Sequence, residues 1–520
     1  MRRTKSNKVV FKPYSVNQMM LLPPSLEELI PQNHMVRVVN DLLDKLDLDR
    51  FVCRYEGGGA SSYHPMMMLK VLIYAYTQRI YTSRQIAKAL RENVQFMWIS
   101  GGNRPDFRTI NRFRSGMLKD SIDSIFVSMV EMLIASGHVK LENYFLDGTK
   151  IEGNANRYSF VWKKASEKYS ARLQKQVREL LKRINDVNDD ENARYGDRDL
   201  EEVGEDSEVT PEMLERAVEE LNRRLKQEPA NRELKKAEKK IRTDYLPRAE
   251  KYEEQKGIFG ERNSYSKTDE DATFMRMKED HMRNGQLKPG YNVQIGTENR
   301  FVLNYSIHHN PNDTKTLIGH MEKLKSSLGL MPGNLVADAG YGSEENYRYL
   351  DENCIGKYVK YNCFGAEQKR SFKKRIFDVA NLPYDKPNDT YTCPNGKKIA
   401  FHHEEQYTTG TGYVSDCRVY ECEDCTGCAL RTGCHKSVHN RRIKIRPVLN
   451  AYREEAKELL TSVEGKKLRS RRGIEVETVF AQIKQNMGFR RFLLRGTDKV
   501  KVEWGLLCIA YNVMKVAAVT

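Results

Sequence analysis

An apolar run that ends in one carboxylate, Tyr144-Phe145-Leu146-Asp147-Gly148-Thr149-Lys150, limits what this chain can fold into more than any other stretch. Its first residues are biased toward a β-strand. A carboxylate at the end of such a strand is costly to hold near a core unless something pairs with it. The arrangement recurs at Asn334-Leu335-Val336-Ala337-Asp338-Ala339-Gly340-Tyr341-Gly342, again an apolar strand ending in Asp with Gly close behind. Two strand-end aspartates and one further acid would cage a hard divalent cation, which prefers oxygen donors. Glu477, in Gly473-Ile474-Glu475-Val476-Glu477-Thr478-Val479-Phe480-Ala481-Gln482-Ile483-Lys484, is the candidate third ligand. Either aspartate alone reads as a turn or cap residue. The three acids together point to a phosphoryl-transfer site holding two magnesium (or manganese) ions.

The elements around these acids set the expected fold. Residues from about 15 to 135 read as mostly helical, with His64-Pro65 opening one helix and Thr82 or Ser83 capping another. The breaker Arg104-Pro105-Asp106 then leads into a basic helix carrying Arg108, Arg112 and Arg114, so 1-138 is expected to be a helical DNA-binding domain of helix-turn-helix type. A plain bundle with a solvated basic face is the other reading. From 158 to 285 dense charge at helical spacing predicts a mostly helical insertion. Its stripes are Tyr169, Leu173, Val177, Leu180 and Ile184, then Leu214, Val218, Leu221 and Leu225, the pattern of an antiparallel hairpin. Tyr291–Ile295 and Phe301–Ile307 alternate as a β-hairpin turning at Gly296-Thr297-Glu298-Asn299, and Asp313 to Leu328 reads as a helix with Asp313 or Thr314 near its cap. Strand, hairpin, helix, strand, helix, strand is the order of a ribonuclease-H-like mixed sheet over 139-362 and 441-520. In that order the first and fourth strands are neighbours, which would bring Asp147 and Asp338 together.

A second insertion, 363-440, carries Cys393 and then Cys417, Cys422, Cys425, Cys428 and Cys434. Close cysteine pairs suit a structural zinc site of zinc-ribbon type, which needs four ligands, and these are the candidates. Reduced cysteines in a loop-rich lobe are the alternative. The last part is basic and helical, and Arg471, Arg472, Lys484, Arg490 and Arg491 lie near Glu477 as candidate DNA contacts.

A net charge of +16 and a pI near 9.2 point to a polyanionic partner, nucleic acid rather than membrane. No apolar run reaches the ~18 residues of a membrane span. No signal-peptide core follows the basic N-terminus, and a cytoplasmic location is expected.

Asp147-Gly148-Thr149-Lys150, Ala337-Asp338-Ala339-Gly340-Tyr341 and Val476-Glu477-x2-Phe480-x3-Lys484 resemble the DDE transposases of bacterial insertion sequences. Pro105-Asp106-Phe107-x-Thr109-Ile110-x-x-Phe113-Arg114 resembles an InsH-type N-terminal domain. The resemblance implies a ribonuclease-H-like catalytic domain and magnesium-dependent cleavage at terminal inverted repeats. It further implies joining of the 3′ hydroxyl to target DNA by a homodimer at the nucleoid. Related enzymes place Tyr-x2-Arg-x3 ahead of the glutamate; here Ser470 and Gly473 stand there, with Arg471 and Arg472 displaced. A nuclease or resolvase of the same fold without strand transfer, or a DNA-binding relic, are the other function classes. Glu475 competes with Glu477, because a helical wheel sets the two on opposite edges of the stripe Val476, Val479, Phe480, Ile483 and Met487. The family spacing from Glu to Lys favours Glu477.

Overall fold

The computed structural model describes residues 25–46, 63–195, 209–227, 229–277 and 287–519, with side chains omitted over 185–195. Its centre is β1 (Asn143–Glu152), an expected strand whose Tyr144, Phe145 and Leu146 are fully buried. A neck of β2 (Phe160–Trp162) and β3 (Ser264–Ser266) follows, then β4 (Thr273–Arg276), β5 (Leu287–Glu298), β6 (Phe301–His308), β7 (Asn334–Ala337) and β8 (Gly356–Val359). The sheet order is β4-β5-β1-β7-β8, with β6 also on β5. β5 runs antiparallel to β1, whereas β7 and β8 are parallel to it and to each other. This mixed α/β sheet is compatible with a ribonuclease-H-like fold, and the first strand does lie beside the fourth.

The β5–β6 hairpin is present, but it turns one step later than its glycine suggested. Asn299 and Arg300 make the turn with φ of 52° and 64°, and Gly296-Thr297-Glu298 stay in the strand. Glu298 repays its burial by accepting the backbone N–H groups of Lys140, Leu141, Glu142 and Asn143 at 2.7–3.1 Å, which anchors the entry to β1.

The N-terminal helices Met35–Asp44, Pro65–Thr77, Ser83–Glu92, Val94–Ile99, Phe107–Arg112 and Ile122–Ala135 do not close around a core of their own. They share one hydrophobic cluster with the sheet and the final helix Thr497–Ala517, whose Trp504, Leu506, Leu507, Ile509 and Val513 have no exposed surface. A helix that is apolar on all sides must be covered on all sides, and Pro65–Thr77 and Ile122–Ala135 do part of that covering. Thr82 caps Ser83–Glu92 as expected, and an additional helix, Val94–Ile99, separates it from the basic helix.

The helical insertion has its own core of Leu173, Val177, Ile184, Leu214, Leu221, Leu234, Ile241 and Tyr245. It is more than the expected hairpin: Arg232–Lys240 and Leu246–Phe259 pack with Lys163–Tyr195 and Pro211–Gln227, and Tyr169 stays exposed. The cysteine-rich segment is built on a five-stranded antiparallel sheet, ordered β13 (Arg442–Ile445), β12 (Val414–Cys422), β11 (Lys398–Thr408), β10 (Thr390–Thr392), β9 (Tyr384–Asp385).

Candidate active site

β1 and β7 pair from Asn143↔Asn334 to Phe145↔Val336, and two residues further along the same register Asp147 stands level with Asp338. β7 and β8 pair up to Ala337↔Val359, which sets Lys360 level with Asp338. Alternation along a strand puts residues two apart on one face. On that face Phe145 and Val336, with Tyr358 against them, form an apolar row under Leu468 and Val476 of the Glu477 segment. Asp147, Asp338 and Lys360 form the next row.

Asp147 is buried and accepts the N–H of Gly148 at 2.8 Å, while Asp338 caps the turn that follows it through Gly340 N at 2.8 Å. Arg472 spans two of the acids, with Nη1 3.4 Å from Asp147 Oδ2 and Nη2 3.5 Å from Glu477 Oε1. The structure thus brings Glu477 to Asp147 through a shared guanidinium rather than directly. Among the described residues, no three His, Cys, Asp or Glu side chains converge closely enough to hold a metal ion. The donor set, two level carboxylates with a third reached through one arginine, is all oxygen and suits a hard divalent cation.

The two glutamates separate clearly. Glu475 is buried and accepts from Arg300 N at 2.6 Å and from Arg471 Nη2 at 2.8 Å, whereas the Glu477 side chain is 65% exposed. A uniform helix cannot do this, and the segment is not uniform. π-turns at Gly473–Glu477 and Gln482–Asn486 flank Thr478–Ala481. Each π-turn adds about one residue to its turn, roughly 100° of phase. The same shift corrects the expectation that Lys484 shares an exposed edge with Glu477: Lys484 is 7% exposed.

Sequence reasoning missed the residues behind the acids. The Gln294 amide donates to Asp313 Oδ1 at 3.0 Å and receives the Tyr341 hydroxyl, and Asn292 also donates to Asp313 at 2.8 Å. Burial, then the charges of Asp313, Asp147 and Asp338, push the Tyr341 hydroxyl far up, so it stays a donor. Gly148 lies opposite Gln294, and a Cβ there would overlap that carboxamide. Asp313 was expected at a helix cap; Asn312 caps that turn instead, and the helix begins at Leu317. Only the strand alternation of β5 could have flagged Asn292 and Gln294 as inward-facing polar residues. Lys360, at the end of an anticipated strand, was legible but passed over.

Of the residues expected on a DNA-binding surface, Arg108, Arg112, Arg490 and Arg491 are exposed. Arg108 and Arg112 line an open cleft of about 640 Å³ with Arg84, Asn111, Leu493 and Leu494. Arg491 also bonds the carbonyls of Gly153 and Ala155 at 3.2 and 3.3 Å. Arg471 is occupied by Glu475, and Arg472 by Asp147 and Glu477. Arg114 is corrected: it is buried and donates to Tyr81 O at 2.6 Å, beside Tyr76 and Ser83, inside the shared core.

In the cysteine lobe, Cys393, Cys422, Cys425, Cys428, Cys434 and His435 line one small cavity. Cys417 does not: it lies on β12 five residues before Cys422, an odd spacing that turns it to the other face, toward Glu405, Lys444 and Arg446. Both ring nitrogens of His435 are buried without a hydrogen-bond partner. Arg441 places its backbone N–H 3.4 Å from Cys425 Sγ and its guanidinium 3.3 Å from Cys434 Sγ. No helix among the described residues is long and apolar enough to cross a membrane.

Residues 392–517 match the family model described as a transposase DDE domain, and residues 24–116 match one described as a transposase domain (DUF772). The first match contains Glu477 and the cysteine cavity and begins downstream of Asp147 and Asp338. A search of curated proteins gave no match.

Proposed function

We propose, on the premise that the two family matches make this chain a DDE transposase of an insertion element, that it cleaves DNA at the element's terminal inverted repeats and joins the freed 3′ hydroxyl to target DNA. The observation that carries this reading is the level placement of Asp147 and Asp338 on adjacent parallel strands, with Glu477 tied to Asp147 through Arg472. Asp147, Asp338 and Glu477 would hold divalent metal, magnesium or manganese. Bound there, two such ions supply Lewis-acid stabilisation of the attacking and leaving oxygens at phosphorus. Arg472 keeps two carboxylates neutralised in the free protein and can offer the same guanidinium to a DNA phosphate. Arg84, Arg108 and Arg112 in the open cleft, with Arg490 and Arg491, would grip the duplex backbone. A homodimer would bring both element ends to one target. Structural zinc in the cysteine lobe is supported by the six donor residues around one cavity and by the unpartnered imidazole of His435.

The test uses the full chain, because a fragment ending near residue 135 would expose apolar side chains now packed on Thr497–Ala517. With a terminal-repeat duplex, Asp147→Asn and Asp338→Asn should abolish cleavage and strand transfer while binding survives and weakens steeply with salt. Near-wild-type cleavage by either variant would sink the reading. Cleavage without joining by the unaltered protein would favour the nuclease alternative.

A further inference from the structure

Lys360 ends β8 in the register position beside Asp338, which is itself beside Asp147, so three adjacent parallel strands deliver Asp, Asp and Lys in one row. The row before it, Phe145 and Val336 with Tyr358, is apolar and covered by Leu468 and Val476, which leaves the charged row at the rim of that cover. Lys360 is half-buried, and among the described residues its ammonium has no hydrogen-bonded or ion-paired partner. Burial first, then the neighbouring charges of Arg472 and Arg469, lower its pKa against the opposing pull of Asp338 and Glu477. The same ammonium therefore feels two of the three candidate acids and two arginines of the overlying helix. A partly desolvated cation beside other cations is held at a cost unless an anion arrives to share it. The anion that a site of this kind receives is a phosphodiester.

We infer that Lys360 is a catalytic residue that binds a non-bridging oxygen of the DNA phosphate undergoing reaction, next to Asp338. This rests on the reading of Asp147 and Asp338 as the acids that carry out DNA cleavage. The lysine acts as a compact point charge on the phosphoryl group, stabilising the negative charge that spreads over its oxygens as the bond to the leaving oxygen breaks. Its stem runs beside the apolar row, which limits the places its head can reach.

The experiment compares full-length Lys360→Met, Lys360→Arg and Asp338→Asn on a duplex carrying the element's end. Lys360→Met should lower the cleavage rate at saturating DNA by about 10²-fold, the scale of losing one preorganised stabiliser. Its affinity for the duplex should change little, and Lys360→Arg should recover part of the rate. A second readout needs no catalysis. In metal-free solution, a neutral methylphosphonate at the cleavage site should weaken binding by the unaltered protein more than by Lys360→Met. Wild-type cleavage by Lys360→Met, or an equal methylphosphonate effect in both proteins, overturns the assignment of Lys360. If Asp338→Asn also cleaves normally, the reading of the acids falls instead, and this inference falls with it.

Discussion

Glu475 and Glu477 are two residues apart and should fail in opposite ways when each is changed to Gln. Glu475 is buried and its carboxylate holds Arg300 N and Arg471, so the neutral amide keeps an acceptor but loses the charge. A charge-assisted hydrogen bond contributes about 1.5–3 kcal/mol. The Arg471 side chain is 37% exposed, and solvent screening holds its share to at most about 1 kcal/mol. Glu475→Gln should therefore cost roughly 1–3 kcal/mol of stability, seen as a lower urea midpoint. It should retain most cleavage at temperatures where it is folded. Glu477 stands 65% exposed beside Arg472, so Glu477→Gln should unfold like the unaltered protein. Its metal-dependent cleavage should fall by at least about 10²-fold. The paired assay is urea unfolding alongside cleavage of a terminal-repeat duplex. Full activity in Glu477→Gln, with a folded but inactive Glu475→Gln, would refute the assignment and give Glu475 the catalytic role.

Three further outcomes follow from the geometry. Arg472→Gln should destabilise the metal-free protein by leaving Asp147 buried without its cation. Adding Asp147→Asn should restore part of the loss, with a coupling of about 0.5–3 kcal/mol, and strictly additive unfolding would contradict the pairing. Elemental analysis of reduced protein should find about one zinc per chain; Cys417→Ser should keep it and Cys425→Ser should lose it. Burial lowers the pKa of His308 to about 4 and that of His320 well below its ordinary value. Their neutral rings are fully stabilising above the unfolded value of about 6.5, and that stability is lost as pH falls through the depressed native values. The slope reaches about 1.4 kcal/mol per pH unit for each histidine. Denaturation at pH 7.5 and 5.5 measures it, and His308→Gln should flatten the slope.

The strand order and the proximity of Asp147 to Asp338 were legible because apolar runs and Asp-Gly endings are local signals. The face of the Glu477 segment was not, since nothing in the residue pattern announces two π-turns, and a wheel drawn at 100° per residue drifts past each of them. Arg114 shows a different limit: its place in a basic run is visible, but its turn inward to Tyr81 depends on helices distant in the chain. Asp313 looked like a cap because its partners Asn292 and Gln294 lie on another strand. Cys417 was miscounted among the zinc candidates because spacing was weighed before strand parity.

The shared core has a consequence for how the protein is made. Pro65–Thr77 is among the first helices to leave the ribosome, and the helix it packs against, Thr497–Ala517, is the last. At about 5–20 residues per second, more than 400 residues of synthesis separate them by roughly 20–80 s. Until then the apolar face of the first helices waits uncovered. A chain cut short before Trp504 has no way to finish its N-terminal half. Premature termination would therefore yield aggregation-prone fragments instead of a soluble DNA-binding piece able to compete with the complete protein for element ends.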